Sequence, residues 1–191
     1  MDITKVLEQW DPQYIKNGGK QLISEMFNTD AQYPFSEKLF RYFGAEIIDS
    51  LDYSNYEGAS IIQDMNQKVT ETLKNKYSLV WDGGALEHIF NFPTAIRNCM
   101  EMAAIGGHLI LETPANNHLG HGFYQFSPEL FFSILNEKNG FTNTRVFLVD
   151  DKHLCYETIA PQKLKKRVET FPVGGGGIFI CHIAKNQKYT R

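Results

Sequence analysis

Cysteine is scarce in this chain, and the few cysteines present are not arranged in pairs. Cys99, Cys155 and Cys181 lie far apart without a Cys-x-x-Cys motif, which argues against a zinc ribbon and against a disulfide framework. Long apolar runs are missing as well, since none approaches the ~18 residues that span a bilayer. The first residues lack the basic-then-apolar layout of a secretory signal peptide. We therefore expect a cytoplasmic protein that does not act on a membrane.

A strong charge of either sign is also absent. The net charge of −3 leaves no electrostatic footprint for nucleic acid, and the one basic run, residues 163–167, is typical of a solvated helix face. A length of 191 residues suits one domain with a sizeable core. We predict a single domain over residues 1–191, with residues 1–20 as a helical extension. The oligomeric state is not indicated.

Helical and strand-like patterns alternate along most of the chain. Apolar spacing and turn residues predict helices at residues 2–10, 34–43, 93–104 and 128–135, and strands at residues 21–27, 45–52, 77–82, 108–112, 144–149 and 177–184. Such alternation is typical of an α/β fold with a mainly parallel sheet covered on both faces. In these folds ligands bind at the carboxyl ends of the strands, so the residues that follow each strand are the candidates for a site.

Three of these positions carry an acid. Asp52 ends a predicted strand, where a carboxylate can accept both hydroxyls of a ribose. Asp64 is placed to accept from an adenine amine, with Met65 covering the ring. Asp82 precedes Gly83-Gly84, a turn that lets a cofactor lie close to the backbone. Any one of these acids could instead cap its own turn.

Two segments resemble a known family. Residues 77–88 (YSLVWDGGALEH) and 105–114 (IGGHLILETP) are similar to the fourth- and fifth-strand motifs of class I S-adenosylmethionine (SAM)-dependent methyltransferases. The resemblance implies a Rossmann-like α/β fold, with a mostly parallel twisted sheet, helices on both faces and an antiparallel last strand. It also implies SAM as the cofactor, and as its ligands Asp52, Tyr53, Asp64, Met65, Asp82, Gly83 and Gly84.

One feature departs from the family pattern. The family's first strand ends in a Gly-x-Gly-x-Gly loop, whereas the corresponding residues 25–32 contain no glycine. Either a different loop holds the cofactor, or the cofactor site is degraded. The glycines at 174–177 lack the Lys-Ser/Thr of a phosphate loop and indicate a flexible turn.

The loop that follows the strand at 108–112 is the predicted substrate side, because it leaves the sheet beside the proposed methyl donor. Methyl transfer needs an acceptor in the correct position and usually a base, and an imidazole suits that role near neutral pH. The candidate bases are His121, with flexible glycines on both sides, His118 and His88. The candidate acceptor ligands are Asn116, Asn117, Tyr124 and Gln125. Each histidine could equally bond to backbone carbonyls.

The sequence therefore predicts SAM-dependent methyl transfer to a small polar or sugar-like molecule. The alternative is a methyltransferase-like domain that has lost activity and serves as a binding or scaffold partner. A third hypothesis is a nicotinamide dehydrogenase, in which an acid also follows the second strand. That fold needs the same glycine-rich loop that is absent here, and it gives no reason for the Leu86-Glu87-His88 motif. His118 and His121 have possible metal spacing, but no nearby acid or thiol completes a ligand set, so no metal is predicted.

Overall fold

The computed structural model describes residues 37–150, 155–160 and 178–187. It comprises two compact units, residues 1–62 and 63–191, and each is described by itself. The predicted elements at residues 2–10 and 21–27, the glycine-poor stretch 25–32, the basic run 163–167 and the glycines 174–177 lie outside the described residues. The extent of the predicted single domain and of its helical extension stays a prediction.

The first unit contains a short helix and a two-stranded parallel sheet. Helix α1 covers Glu37–Tyr42 and is followed by Gly44, whose φ of +88° favours glycine. Strand β1, Leu51–Asp52, pairs in parallel with β2, Ile61–Ile62. The predicted strand at 45–52 is therefore much shorter than expected. Beyond this pair, the backbone N–H groups of Ser50 and Ser60 each donate to the other's hydroxyl, at 2.9 and 3.2 Å, instead of to a strand carbonyl.

The second unit is built on a mixed five-stranded sheet. In chain order its strands are β3 (Tyr77–Gly83), β4 (Ala103–Asn116), β5 (Phe141–Asp150), β6 (Cys155–Glu157) and β7 (Ile178–Asn186). Their spatial order is β3-β4-β7-β5-β6. Only β3 and β4 pair in parallel, and the other three pairings are antiparallel. The fold is α/β, but the expectation of a mostly parallel sheet is wrong for this described sheet.

The parallel pair exists because a helix crosses over between its strands. Helix α2, Phe92–Met102, carries Pro93 in its first turn and buries Ala95, Ile96, Cys99 and Met100 on one face, as the apolar spacing predicts. Parallel strands need such a crossover, whereas antiparallel strands can be joined by shorter connections.

The last strand, β7, pairs antiparallel with both of its neighbours, as expected. It lies between β4 and β5, however, and not near an edge of the sheet.

Two local features position the loops of the second unit. The sequence predicts a strand only at residues 108–112, but β4 begins at Ala103 and runs through Gly106 and Gly107, with an irregular register opposite Tyr77 and Leu79. A Cβ on Gly107 would lie 2.9 Å from the carbonyl oxygen of Tyr77, so only glycine allows β3 to approach this closely. Helix α3, Pro128–Ile134, begins as predicted, with the Ser127 hydroxyl accepting from the backbone N–H of Glu129.

The core of the second unit lies against the central strands. Leu86, Leu109, Leu111, Phe131, Phe141 and Val146 are fully buried. These side chains come from β4, β5 and α3, and from the turn after β3. Within the described residues, no helix has both the length and the apolar character needed to cross a membrane.

Candidate functional site

The carboxyl ends of β3 and β4 lie side by side, because these two strands run parallel. Gly83 at the end of β3 pairs with Glu112 on β4. Beyond β3 the chain turns at Gly84, whose φ is +99°, and forms a 3₁₀ turn at Leu86–His88. Beyond β4 it continues into the loop 117–126, which we call the β4 loop. The predicted substrate side is therefore adjacent to the predicted cofactor turn.

The β4 loop is fixed by hydrogen bonds to the turn after β3. The backbone N–H of Phe123 donates to the carbonyl oxygen of Glu87 at 2.7 Å. The hydroxyl of Tyr124 donates to the carbonyl oxygen of Phe90 at 2.6 Å. The loop is also closed on itself, since the Gln125 side chain accepts from the backbone N–H of His118 at 3.0 Å. The first two of these bonds bring residues that are more than thirty positions apart into one site.

Two buried carboxyl groups lie at the end of β3 and in the turn after it. Glu87 is 1% exposed and Asp82 is 8% exposed. Asp82 Oδ1 accepts from the backbone N–H of Ala85 at 3.2 Å. Its Oδ2 and Glu87 Oε2 have no hydrogen-bond partner among the described residues. Buried carboxyl oxygens are normally satisfied, so this pair is unusual.

Burial also shifts the protonation of the acids at this sheet edge. Desolvation, together with the charge of Glu87, raises the pKa of Asp82 to about 7. Desolvation is also the main cause of the raised pKa of Glu112, and the charge of Glu87 adds to it. Carboxyl groups with raised pKa values in one place are typical of functional sites.

All three predicted candidate bases gather at this point. His121 Nε2 lies 3.4 Å from Glu87 Oε1. The ring of His88 meets the ring of His121 edge-on at 4.9 Å, and the ring of His118 is 6.0 Å from it. His88 and His121 are exposed and His118 is partly buried. The sequence indicated no acid near His118 and His121. The structure corrects this, because Glu87 lies beside His121.

Asp64 and Met65, predicted to bind the adenine, lie in the segment that leads to β3. Asp64 Oδ1 accepts from the backbone N–H and the side-chain amide of Asn66, at 2.8 and 2.9 Å. The carbonyl oxygen of Met65 accepts from the amide of Asn98 at 3.3 Å. Asp64 therefore stabilises its own turn through one oxygen, and its Oδ2 makes no hydrogen bond to the described residues.

Asp52 and Tyr53, predicted to bind the ribose, belong to the first unit. Asp52 is exposed at the end of β1, and its Oδ1 accepts from the backbone N–H of Ser54 at 2.7 Å. Tyr53 is 76% exposed. Asp52 thus forms a turn with one oxygen and presents the other to solvent.

The predicted acceptor ligands lie on the β4 loop and at the end of β4. Asn116 is the last residue of β4, and Asn117 adopts a left-handed conformation with a φ of +61°. Asn116, Asn117 and Gln125 are exposed, and Tyr124 is partly buried. Beside them are two exposed aromatic rings that the sequence analysis did not single out. Phe90 and Phe123 are 72% and 65% exposed and meet edge-on at 5.9 Å.

A pocket of about 330 Å³ lies elsewhere, at the β5–β6 side of the sheet. It is lined by Phe132, Thr144, Glu157, Thr158, Ile159 and Ala160. None of the predicted site residues lines it.

Comparison with known proteins supports the fold. No protein-family model matches the sequence, and no curated protein resembles it significantly. Among solved structures, the chain is similar to a "putative methyltransferase" from Bacillus halodurans, with 13% identity and a TM-score of 0.50. The match covers 80% of this chain and 86% of that one. The likeness therefore extends over most of both chains and concerns the fold alone.

Proposed function

We propose that this protein is a SAM-dependent methyltransferase that acts on a small polar or sugar-like acceptor. The observation that carries the proposal is the junction of the turn after β3 with the β4 loop, joined by the hydrogen bond from Phe123 to Glu87. The junction joins the end of the first family-like segment, residues 77–88, to the loop that follows the second, residues 105–114, and the two segments themselves pair through β3 and β4. The fold likeness to a putative methyltransferase supports the same function.

The turn after β3 fits a cofactor that lies close to the backbone. Gly83 and Gly84 carry no side chains, and the φ of +99° at Gly84 suits glycine. Asp64 has an oxygen left for an adenine amine once its own turn is made. In the first unit, Asp52 likewise has an oxygen left for a ribose hydroxyl. The roles of Asp52 and Tyr53 rest on the family resemblance.

SAM, when bound, supplies a methyl group on a sulfonium, whose C–S bond breaks as the acceptor's lone pair bonds to the methyl carbon. The residues of this chain position the acceptor and take up its proton. Tyr124 and Gln125 are held by hydrogen bonds of their own and still have groups to offer, the phenol oxygen as acceptor and the amide N–H as donor. His118, His121 or His88 accepts the proton that the acceptor loses.

The exposed rings of Phe90 and Phe123 favour a sugar-like acceptor. Aromatic rings beside polar groups suit a ligand that has an apolar face and hydroxyl edges, because the ring covers the face while amides bind the edges. The 5.9 Å edge-on contact holds both rings at the rim of the β4 loop. Asn116 and Asn117 are exposed amides at the start of the same loop, and we assign them to the hydroxyl edges of the acceptor.

Calorimetry with S-adenosylhomocysteine tests the proposal without knowledge of the acceptor. We expect the wild type to bind it, and Asp52→Ala to weaken binding by more than ~1.5 kcal/mol, roughly tenfold, because a charged hydrogen-bond acceptor for the ribose is lost. Glu57→Ala is the matched control, since it removes an equal charge from an exposed position of the same unit.

Asp64→Asn tests the adenine contact more finely. An asparagine retains Oδ1 for the turn with Asn66, but puts an amide donor where the second oxygen stood, opposite a ligand amine. We expect weaker ligand binding with an unchanged melting temperature. If the folded wild type does not bind S-adenosylhomocysteine at millimolar concentration, the enzyme proposal is overturned in favour of the binding or scaffold domain.

A further inference from the structure

We propose that Glu87, His88 and His121 bind a divalent transition-metal ion. One ligand atom from each of these three residues lies within 4.8 Å of the other two. His88 follows Glu87 in the 3₁₀ turn after β3, and His121 comes from the β4 loop. The set therefore forms only when the β4 loop is fixed against that turn.

The distance between His121 and Glu87 favours two ligands of one ion over a direct hydrogen bond. Their Nε2 and Oε1 atoms are 3.4 Å apart, beyond the usual 2.7–3.2 Å range of an N–H···O bond. Two tetrahedral ligands, each at about 2.1 Å from a zinc ion, are separated by about 3.4 Å. The pair thus has the separation that a shared metal ion requires.

The burial of Glu87 is the second observation. At 1% exposure its carboxylate is desolvated, and its Oε2 has no hydrogen-bond partner among the described residues. A buried carboxylate without compensation is costly, and coordination of a cation is one of the few ways to offset that cost. Desolvation, and after it the charge of Glu87, raises the pKa of nearby Asp82, so two carboxyl groups that disfavour each other's charge lie close together here.

Glycines on both sides hold the carboxylate in place. A Cβ on Gly122 would lie 2.8 Å from the carbonyl oxygen of Glu87 and 2.9 Å from its Cγ, and a Cβ on Gly84 would lie 3.3 Å from Oε1. The backbone therefore packs directly against the proposed ligand. A ligand that is oriented before the metal arrives loses little entropy on binding.

Two imidazoles and one carboxylate suit zinc, cobalt(II) or iron(II) better than magnesium or calcium, which prefer oxygen ligands alone. Three protein ligands also leave a coordination position open. If the proposed methyl transfer is correct, on which this step rests, the open position could hold the acceptor's oxygen and lower its pKa. His88 and His121 would then be ligands, and His118 would remain as the base.

Zinc and cobalt titrations of protein stripped with a chelator test the site directly, in the absence of any cofactor. We expect wild-type protein to bind one zinc ion by calorimetry, and cobalt(II) to give visible absorption bands of a low-coordinate site. His121→Ala should weaken zinc binding by more than about 100-fold, because loss of a ligand exceeds the effect of losing an outer hydrogen-bond partner. Glu87→Gln should do the same.

The matched control is His108→Ala, which removes an exposed histidine on β4 outside the three ligands and should leave zinc affinity unchanged. Because Glu87 is buried, its variant could unfold, but His121 is exposed and its variant keeps the test decisive. Zinc affinity that is the same in His121→Ala and wild type overturns the proposal. Binding of S-adenosylhomocysteine to the metal-free protein is measured separately, so failure of the metal site is distinguishable from failure of the methyltransferase proposal.

Discussion

The backbone N–H of Phe123 donates a 2.7 Å hydrogen bond to the carbonyl oxygen of Glu87, and this bond ties the β4 loop to the turn after β3. The bond satisfies the carbonyl group of a residue that is 1% exposed. Its geometry depends on the residue before Phe123. Gly122 has a φ of +73°, a conformation that favours glycine.

Gly122→Ala should therefore detach the β4 loop from the turn. The added Cβ would lie 2.8 Å from the carbonyl oxygen of Glu87, and the left-handed backbone adds about 1–3 kcal/mol of strain. We expect a lower melting temperature and weaker zinc binding. Gly120→Ala is the control, since a Cβ there meets nothing within 4 Å. Equal behaviour of the two variants would contradict the docking role of Gly122.

Asn98 should be essential for the segment that carries Asp64. It is 1% exposed on α2; its Oδ1 accepts from the backbone N–H of Val69 at 3.1 Å, and its amide donates to the carbonyl of Gln67 at 2.8 Å. Asn98→Ala leaves the buried N–H of Val69 unsatisfied, at about 1–3 kcal/mol, and also removes the donor to the partly buried carbonyl of Gln67. We expect the free energy of unfolding to fall by roughly 3 kcal/mol in urea denaturation.

Asn98→Asp separates the two halves of this contact. The aspartate retains an acceptor for Val69 but places a second oxygen against the carbonyl of Gln67. We expect it to be at least as destabilising as Asn98→Ala. Wild-type stability in both variants would show that the segment does not depend on α2.

The elements around the site were predictable because local signals agree there. Strand β3 ends at Gly83, between Asp82 and Gly84, and helix α2 has Pro93 in its first turn and continues with regular apolar spacing. Helix α3 begins at Ser127 and Pro128, which are standard N-terminal residues. In each case the residues that end or begin the element also stabilise it locally.

The order of the strands in the sheet and the burial of Glu87 could not be predicted from local sequence signals. The alternation of helices and strands gives no register, and β7 takes its place through pairings with β4 and β5 that lie far apart in sequence. Glu87 has the character of a surface residue, and charged residues are rarely fully buried. Its burial follows from Gly84 and Gly122, which leave room for the backbone to cover it.

Substitution of the histidines should separate a base from a ligand. A general base contributes about 10²–10⁴-fold to rate, so alanine at the base should reduce kcat heavily and leave the affinity for S-adenosylhomocysteine unchanged. We expect this pattern for His118→Ala, with zinc affinity retained. We expect His121→Ala to lose both zinc and activity. Near wild-type turnover in both variants would place the base elsewhere.

Asp82 should make the metal-free protein less stable as the pH rises. Its pKa of about 7 in the folded state lies above the ordinary value of 3.8 because of burial and the charge of Glu87. The folded protein therefore holds this proton more tightly than the unfolded chain, and the added stability is full below about pH 4 and is lost as the pH rises through 7. Each unit of that shift is worth about 1.4 kcal/mol. Cys99 is buried on α2, and desolvation and then the charge of Asp82 raise its pKa, so it stays protonated in this range. Urea denaturation of chelator-treated protein between pH 4 and 8 measures the slope. Asp82→Asn is neutral throughout and should remove most of it, and an unchanged slope in that variant would assign the pH dependence to another group.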